Sequence, residues 1–222
     1  MSDHRLTFTA TADNNVSALL RDPGSPVALL ILGHGAGADM HHAHMEAIAT
    51  ALAGHDIATL RFNFPFMEQG RRRTDRPEVC IETIDHAVAL ASARLPGIDL
   101  YAGGHSFGGR MASHYCAGHA GKRIRGLVCF SFPLHPAGKP GDKRAAHFDD
   151  IRLPVLFVNG TRDALAESSL LESSVTTLRD GTIHWLDTAD HSFKILKRSR
   201  QSDEDVYEEA ARVTREWLEK RA

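Results

Sequence analysis

The chain is poor in the features that mark secreted, membrane and nucleic-acid-binding proteins. It has only three cysteines in 222 residues, Cys80, Cys116 and Cys129. An odd, widely spaced set in a chain of this length excludes a disulfide framework, and buried free thiols in a reducing compartment are expected instead. No apolar run approaches the roughly 20 residues that cross a bilayer; the stretch 27–32 falls far short. The opening Met1-Ser2-Asp3-His4-Arg5 lacks the cationic start and apolar core of a secretory leader. A soluble cytoplasmic protein without a membrane partner is therefore expected. Charge of one sign is also missing: 26 Lys and Arg against 28 Asp and Glu leave a net −2, too little to gather nucleic acid. Arg71-Arg72-Arg73 is the one basic cluster, while Arg94, Lys122, Arg123 and Arg125 are scattered and need only solvation. With no composition break and no internal repeat, residues 1–222 are expected to form a single domain.

What is present is an alternation of short apolar runs with helical periodicity. Strands are predicted at 27–32, 57–62, 99–102, 126–130, 155–158 and 183–186. Most are continuously apolar, as parallel strands covered on both faces are. Residues 6–12 alternate and predict an antiparallel edge strand. Helices are predicted around Met45, Ile48 and Leu52 with Asp39 as N-cap, and around Ile81, Ile84, Val88, Ala91 and Leu95 up to Pro96-Gly97. A last one runs through Val206, Ala210, Val213 and Trp217, with Ser202 and Asp205 resembling a capping box. The pattern predicts an α/β class fold with a mostly parallel central sheet and helices on both faces. The long connections are 63–77 and 133–154. The second holds about one helical turn near Ala145-Ala146-His147-Phe148 and is too short for a large cap domain, so an open site is expected.

The most informative stretch is Gly103-Gly104-His105-Ser106-Phe107-Gly108-Gly109, directly after the run 99–102. Gly-x-Ser-x-Gly between a strand and a helix is the nucleophile-elbow pattern. The serine sits at a strained turn, and side chains at the flanking glycines would collide with neighbouring elements. Arg110 follows at the start of the elbow helix and is placed to bind across its first turn. A serine hydroxyl needs a base and an orienting acid, in the chain order Ser, Asp or Glu, His, at the carboxyl ends of later strands. Of 14 histidines, His191 lies just after the run 183–186, where the base belongs. His184 lies inside that run and is expected to pack against a helix. Asp163 follows the run 155–158 through Gly160-Thr161-Arg162, the place for the acid. Asp187 is the runner-up, and Asp190 adjoins His191 too closely to reach its ring.

Backbone N–H groups must hold the developing oxyanion. Phe107 is one expected donor; Ala36, with Gly37 as the alternative, is the second, from Gly33-His34-Gly35-Ala36-Gly37. This loop lacks the lysine of a phosphate-binding loop. His34 and His105 precede the serine, out of order for the base, and are candidate substrate contacts. Arg71, in a run shared with Arg72, Arg73 and Arg76, is a candidate for a substrate carboxylate or phosphate, although a solvated loop also accounts for the run. Arg61 sits inside a strand and calls for a structural partner. His41, His42, His44 and Glu46 suggest metal ligands, with His41 and His44 on one helical face, but no further ligand set has the spacing. Helix-surface histidines are the reading, with no metal and no cofactor.

On Gly33-His34-Gly35-Ala36-Gly37, Arg61-Phe62-Asn63-Phe64-Pro65, Gly104-His105-Ser106-Phe107-Gly108-Gly109-Arg110, Phe132-Pro133-Leu134-His135-Pro136 with Gly138-Lys139-Pro140, Gly160-Thr161-Arg162-Asp163 and Asp190-His191-Ser192-Phe193, the chain resembles the α/β-hydrolase superfamily over nearly its whole length. Within it, the chain is most similar to bacterial relatives of the testis-expressed protein 30 and of a subunit of the non-specific-lethal chromatin complex. The resemblance implies a dienelactone-hydrolase-like fold and the same Ser106, Asp163 and His191 triad. It implies no particular substrate. The expected activity is cleavage of an ester or thioester of a small-molecule acyl substrate through an acyl-serine. A non-catalytic interaction module on the same scaffold and an acyltransferase using the same acyl-enzyme are the alternatives; oligomeric state stays open.

Overall fold

The continuous apolar runs of the inner sheet become strands buried on both faces, while the run 183–186 forms a partly exposed edge strand. The computed structural model describes residues 3–118 and 123–221; Met1, Ser2 and Lys122 lie outside that range. Eight strands form one sheet in the order β1-β2-β4-β3-β5-β6-β7-β8. They are β1 (His4–Thr11), β2 (Asn14–Arg21), β3 (Ala28–Gly33), β4 (Ile57–Phe62), β5 (Leu100–His105), β6 (Ile124–Phe130), β7 (Val155–Gly160) and β8 (Gly181–Leu186). β1 pairs antiparallel with β2, and β2 with β4. From β4 to β8 every pairing is parallel. The alternating segment 6–12 is thus the antiparallel edge. β2, which the periodicity did not predict, returns from it.

The helices are α1 (Ala43–Gly54), α2 (Pro65–Glu68), α3 (Pro77–Arg94), α4 (Phe107–Gly118), α5 (Ser168–Val175) and α6 (Val206–Glu219). Successive strand residues point to opposite faces, and β3 shows the result. Leu29 and Ile31 join the core with Ile84, Val88 and Met111 of α3 and α4. Leu30 and Leu32 join Met45, Ile48 and Leu52 of α1 and Trp217 of α6 on the other face.

Two predicted caps are corrected. Asp39 does not cap α1; its Oδ1 accepts from His41 N–H at 2.9 Å in a local turn. His42 is the cap, its ring nitrogen accepting from His44 N–H at 3.2 Å. In α6 the cap is Asp205 alone, accepting from Tyr207 and Glu208 N–H, and Ser202 only receives Glu204 N–H at 3.2 Å. Between β6 and β7 the chain makes two short 3-10 turns, Lys143–Ala145 and Phe148–Asp150, and raises no cap domain over the sheet. Among the described residues no helix is long and apolar enough to cross a membrane.

The topology decides where a site can form. From β3 the chain crosses to β4 on one side and then to β5 on the other. This reversal opens a crevice at the carboxyl ends of β3 and β5, the usual ligand position in open α/β sheets.

Candidate active site

The crevice is built by close backbone approach. Ser106 links β5 to α4 with φ of 52°, a left-handed conformation that non-glycine residues avoid, and its N–H donates to Phe130 O at 2.9 Å. A Cβ on Gly104 would stand 2.5 Å from the Gly33 carbonyl oxygen, and one on Gly108 would stand 2.1 Å from the same atom. Glycine at both positions therefore lets the end of β3 and the start of α4 touch. That contact sets the loop 34–38 beside Ser106. Phe107 opens α4, whose first N–H groups have no partner within the helix and face developing negative charge favourably.

His191 and Asp163 reach Ser106 from β8 and β7. Their loops are pressed together at Gly160, where a Cβ would meet Ala189 O at 2.2 Å. Arg162 N–H also donates to Ala189 O at 2.9 Å. His191 Nε2 lies 2.8 Å from Ser106 Oγ. His191 Nδ1 lies 2.9 and 2.8 Å from the two oxygens of Asp163. An ionised carboxylate only accepts, so Nδ1 carries the proton and Nε2 accepts from the serine hydroxyl. The Asp163 carboxylate is buried and also accepts from Leu165 N–H at 2.8 Å and from Asn159 Nδ2 at 3.4 Å. The other two carboxylates are spent elsewhere. Asp190 accepts from Ser192 and Lys194 N–H, and Asp187 accepts from Gln201 N–H at 2.9 Å.

A hollow of about 260 Å³ adjoins the serine, with Ala36, Gly37, His44, His105 and His191 in its wall. Ala38 N–H donates to Gly35 O at 3.2 Å, closing a turn with Ala36 and Gly37 at its tip. His105 lines the hollow, and its Nε2–H donates to the backbone carbonyl of His191 at 3.0 Å. Burial, outweighing that hydrogen bond, pushes its pKa down to about 4, so it stays neutral and braces the loop that carries His191.

Two candidate substrate contacts are corrected. His34 is fully buried; its Nδ1–H donates to Gly35 O at 2.8 Å and its Nε2 accepts from Phe64 N–H at 3.0 Å. With both nitrogens engaged it ties the loop 34–38 to the exit of β4 and offers nothing to a substrate. Arg71 is held outside the hollow, its guanidinium on Asp75 at 2.5 Å and on Gln69 at 2.8 Å. Arg61 has the partners its strand position called for. Fully buried, it pairs with Asp3 and Glu46 and donates to Met40 O at 3.2 Å. His184, likewise, bonds to Glu209 of α6 at 2.8 Å.

His44 is the residue that sequence reasoning misplaced. It is buried rather than on a helix surface, with its Nδ1 2.9 Å from the Tyr207 hydroxyl and its ring 4.3 Å from that of His105. Burial, reinforced by His105, His42 and His191, takes its pKa to about 3. His41 precedes α1 and is not on a helix surface either. The available signal was position, because the first turn of a helix that follows β3 lies at the site edge of the sheet.

A model of the Alpha/beta hydrolase domain family matches residues 26–219. The chain belongs to this family. Solved structures agree with the alpha/beta hydrolase fold along the whole chain. Est1E from Butyrivibrio proteoclasticus, solved with ferulic acid bound, is 17% identical with a TM-score of 0.77, over 97% of this chain and 98% of that one. A dienelactone hydrolase from Anabaena variabilis is 14% identical with a TM-score of 0.78, over 99% and 98%. A serine hydrolase without lid from Xanthomonas campestris is 19% identical with a TM-score of 0.72, over 97% and 94%. At these identities the likeness is one of alpha/beta hydrolase fold.

Proposed function

We propose that this protein is a serine hydrolase that cleaves a carboxylic ester or thioester through an acyl-Ser106 intermediate. The observation that carries the reading is the unbroken hydrogen-bonded chain from Ser106 through His191 to Asp163. Ser106 Oγ attacks the carbonyl carbon while His191 Nε2 takes its proton. Asp163 holds the imidazole in the tautomer with its proton on Nδ1 and stabilises the imidazolium. The carbonyl oxygen, now negative, is received by the N–H of Phe107 and that of Ala36, with Gly37 as the alternative donor. His191 returns the proton to the departing alkoxide or thiolate. Water, deprotonated by the same nitrogen, then releases the acid. The uncapped crevice gives water direct access to the acyl-enzyme, which favours hydrolysis over transfer. A complete Ser–His–Asp set argues against a purely non-catalytic module.

Within the family we place the chain nearest to the bacterial relatives of testis-expressed protein 30 and the non-specific-lethal complex subunit, on the motifs quoted above. The free, buried Cys80, Cys116 and Cys129 fit a reducing cytoplasm. A panel of p-nitrophenyl esters and acyl thioesters tests the activity, with Ser106→Ala beside the wild type. Turnover by the wild type, reduced by about 10³-fold or more in the variant, is the expected result. Equal turnover by both would remove Ser106 from the nucleophile role.

A further inference from the structure

The first turns of α4 carry a cationic cluster that the triad does not use. Arg110 N–H donates to Ser106 O at 3.0 Å, so Arg110 stands one helical turn from the serine. Helical side chains lean toward the N-terminus, the end of α4 at which Ser106 stands. Four described arginines have a buried Nε without a hydrogen-bond partner: Arg61, Arg110, Arg200 and Arg221. Three of them place their other nitrogens on carboxylates. Arg110 alone of the four has no ion pair.

A second arginine comes from the segment that packs on this helix through His147. Arg144, from the 3-10 turn Lys143–Ala145, donates through Nη1 to Pro133 O at 3.0 Å. This anchors it beside the end of β6, the strand next to the elbow. Among the described residues Arg144 has no carboxylate partner either. Burial and the charge of Arg144 both lower the pKa of Arg110. One turn further along α4, His114 stacks on His147 with ring centroids 3.7 Å apart, and His147 Nε2 lies 2.8 Å from Ser113 Oγ. Burial, then His114 and Arg110, hold His147 near pKa 4, so it adds no charge at neutral pH and the guanidinium groups dominate. Arg110 thus bears three costs: a cation at a helix N-terminus, partial burial without a counter-charge, and a like charge beside it. An anionic ligand relieves all three.

We propose that Arg110 and Arg144 form an anion subsite beside Ser106, and that the substrate is an ester or thioester bearing a free carboxylate. The planar guanidinium fork matches a carboxylate. These two residues, rather than Arg71, then meet the substrate's negative charge. The substrate assignment rests on the serine-hydrolase reading; the anion subsite does not.

The test compares kcat/KM for p-nitrophenyl hemiglutarate and for its methyl-capped neutral analogue, corrected for spontaneous hydrolysis. The wild type is expected to prefer the carboxylate about tenfold or more, the range of a charge-assisted hydrogen bond. The preference should fall toward unity in Arg110→Gln and in Arg144→Gln, and survive in part in Arg110→Lys. Equal rates on the two esters in the wild type, or an undiminished preference in both glutamine variants, overturns the proposal. If the wild type turns over neither ester, glutarate binding by calorimetry decides. Binding lost in Arg110→Gln supports the subsite, and absence of binding to the wild type overturns it. Binding of inorganic phosphate in place of glutarate overturns the carboxylate assignment.

Discussion

Replacing Gly108 by alanine tests the close approach on which the crevice depends. The added Cβ would stand 2.1 Å from Gly33 O, 2.2 Å from Gly33 C and 2.8 Å from Gly33 Cα. Non-bonded carbon atoms rest about 3.5–4.0 Å apart, so α4 and β3 must part by roughly 1 Å or more. All three opposing atoms are backbone, and no rotamer change relieves them. Overpacking costs about 1–3 kcal/mol where side chains can adjust. Here the upper end applies, offset by at most about 1 kcal/mol from exchanging a helical glycine for alanine. A net loss of about 2–3 kcal/mol stands against a total stability of about 5–15 kcal/mol. It lowers the thermal midpoint of a chain of this size by about 4–12 °C. Urea and thermal unfolding of Gly108→Ala measure the loss directly. Gly54→Ala is the control: it ends α1, has open space around its Cβ position, and should gain up to about 1 kcal/mol. A Gly108→Ala midpoint equal to or above that of the wild type would refute the reasoning.

Two further predictions concern the triad and the buried histidines. Asp163→Asn preserves the turn that accepts Leu165 N–H but no longer fixes the His191 tautomer. Ester kcat should fall by about 10⁴-fold with the unfolding midpoint little changed; an unchanged kcat would show that Asp163 is not the orienting acid. Stability should also fall as the pH drops below 6.5. His34, His44 and His105 are held neutral by burial down to pKa values of about 4, 3 and 4, whereas the unfolded chain binds their protons near 6.5. The unfolded state therefore gains protons first, and the stabilisation present above 6.5 is lost on the way to about pH 4. His34 alone accounts for on the order of 3 kcal/mol at the acid end. Urea midpoints at pH 7, 5.5 and 4.5 check this, and a midpoint that holds or rises would contradict it.

The inner parallel strands were legible because they are buried on both faces and read as largely apolar runs, whereas β8, at the edge, is mostly half-buried or exposed. β2 was not legible. Its residues Asn14-Asn15-Val16-Ser17-Ala18-Leu19-Leu20-Arg21 mix polar ends with an apolar tail, and it is defined by pairing with β1 and β4. α5 has only Leu170, Leu171 and Val175 as apolar residues among serines, so its helical stripe is faint. That Ser106, Asp163 and His191 come together in space could be read because chain order and strand ends restrict where each can lie. The roles of His34 and Arg71 could not. His34 is engaged by Phe64, which is 30 residues away, and Arg71 is neutralised by Asp75 on the next turn of a loop. Long-range packing also buries His44 against Tyr207, a contact across 163 residues.

The central claim is that Ser106, activated by His191, is the nucleophile. Fluorophosphonate labelling followed by peptide mapping tests it most directly. One adduct on the Ser106 peptide is expected in the wild type, none in Ser106→Ala, and sharply slowed labelling in His191→Ala. An equal adduct on Ser106→Ala, or none on the folded wild type, would contradict the claim.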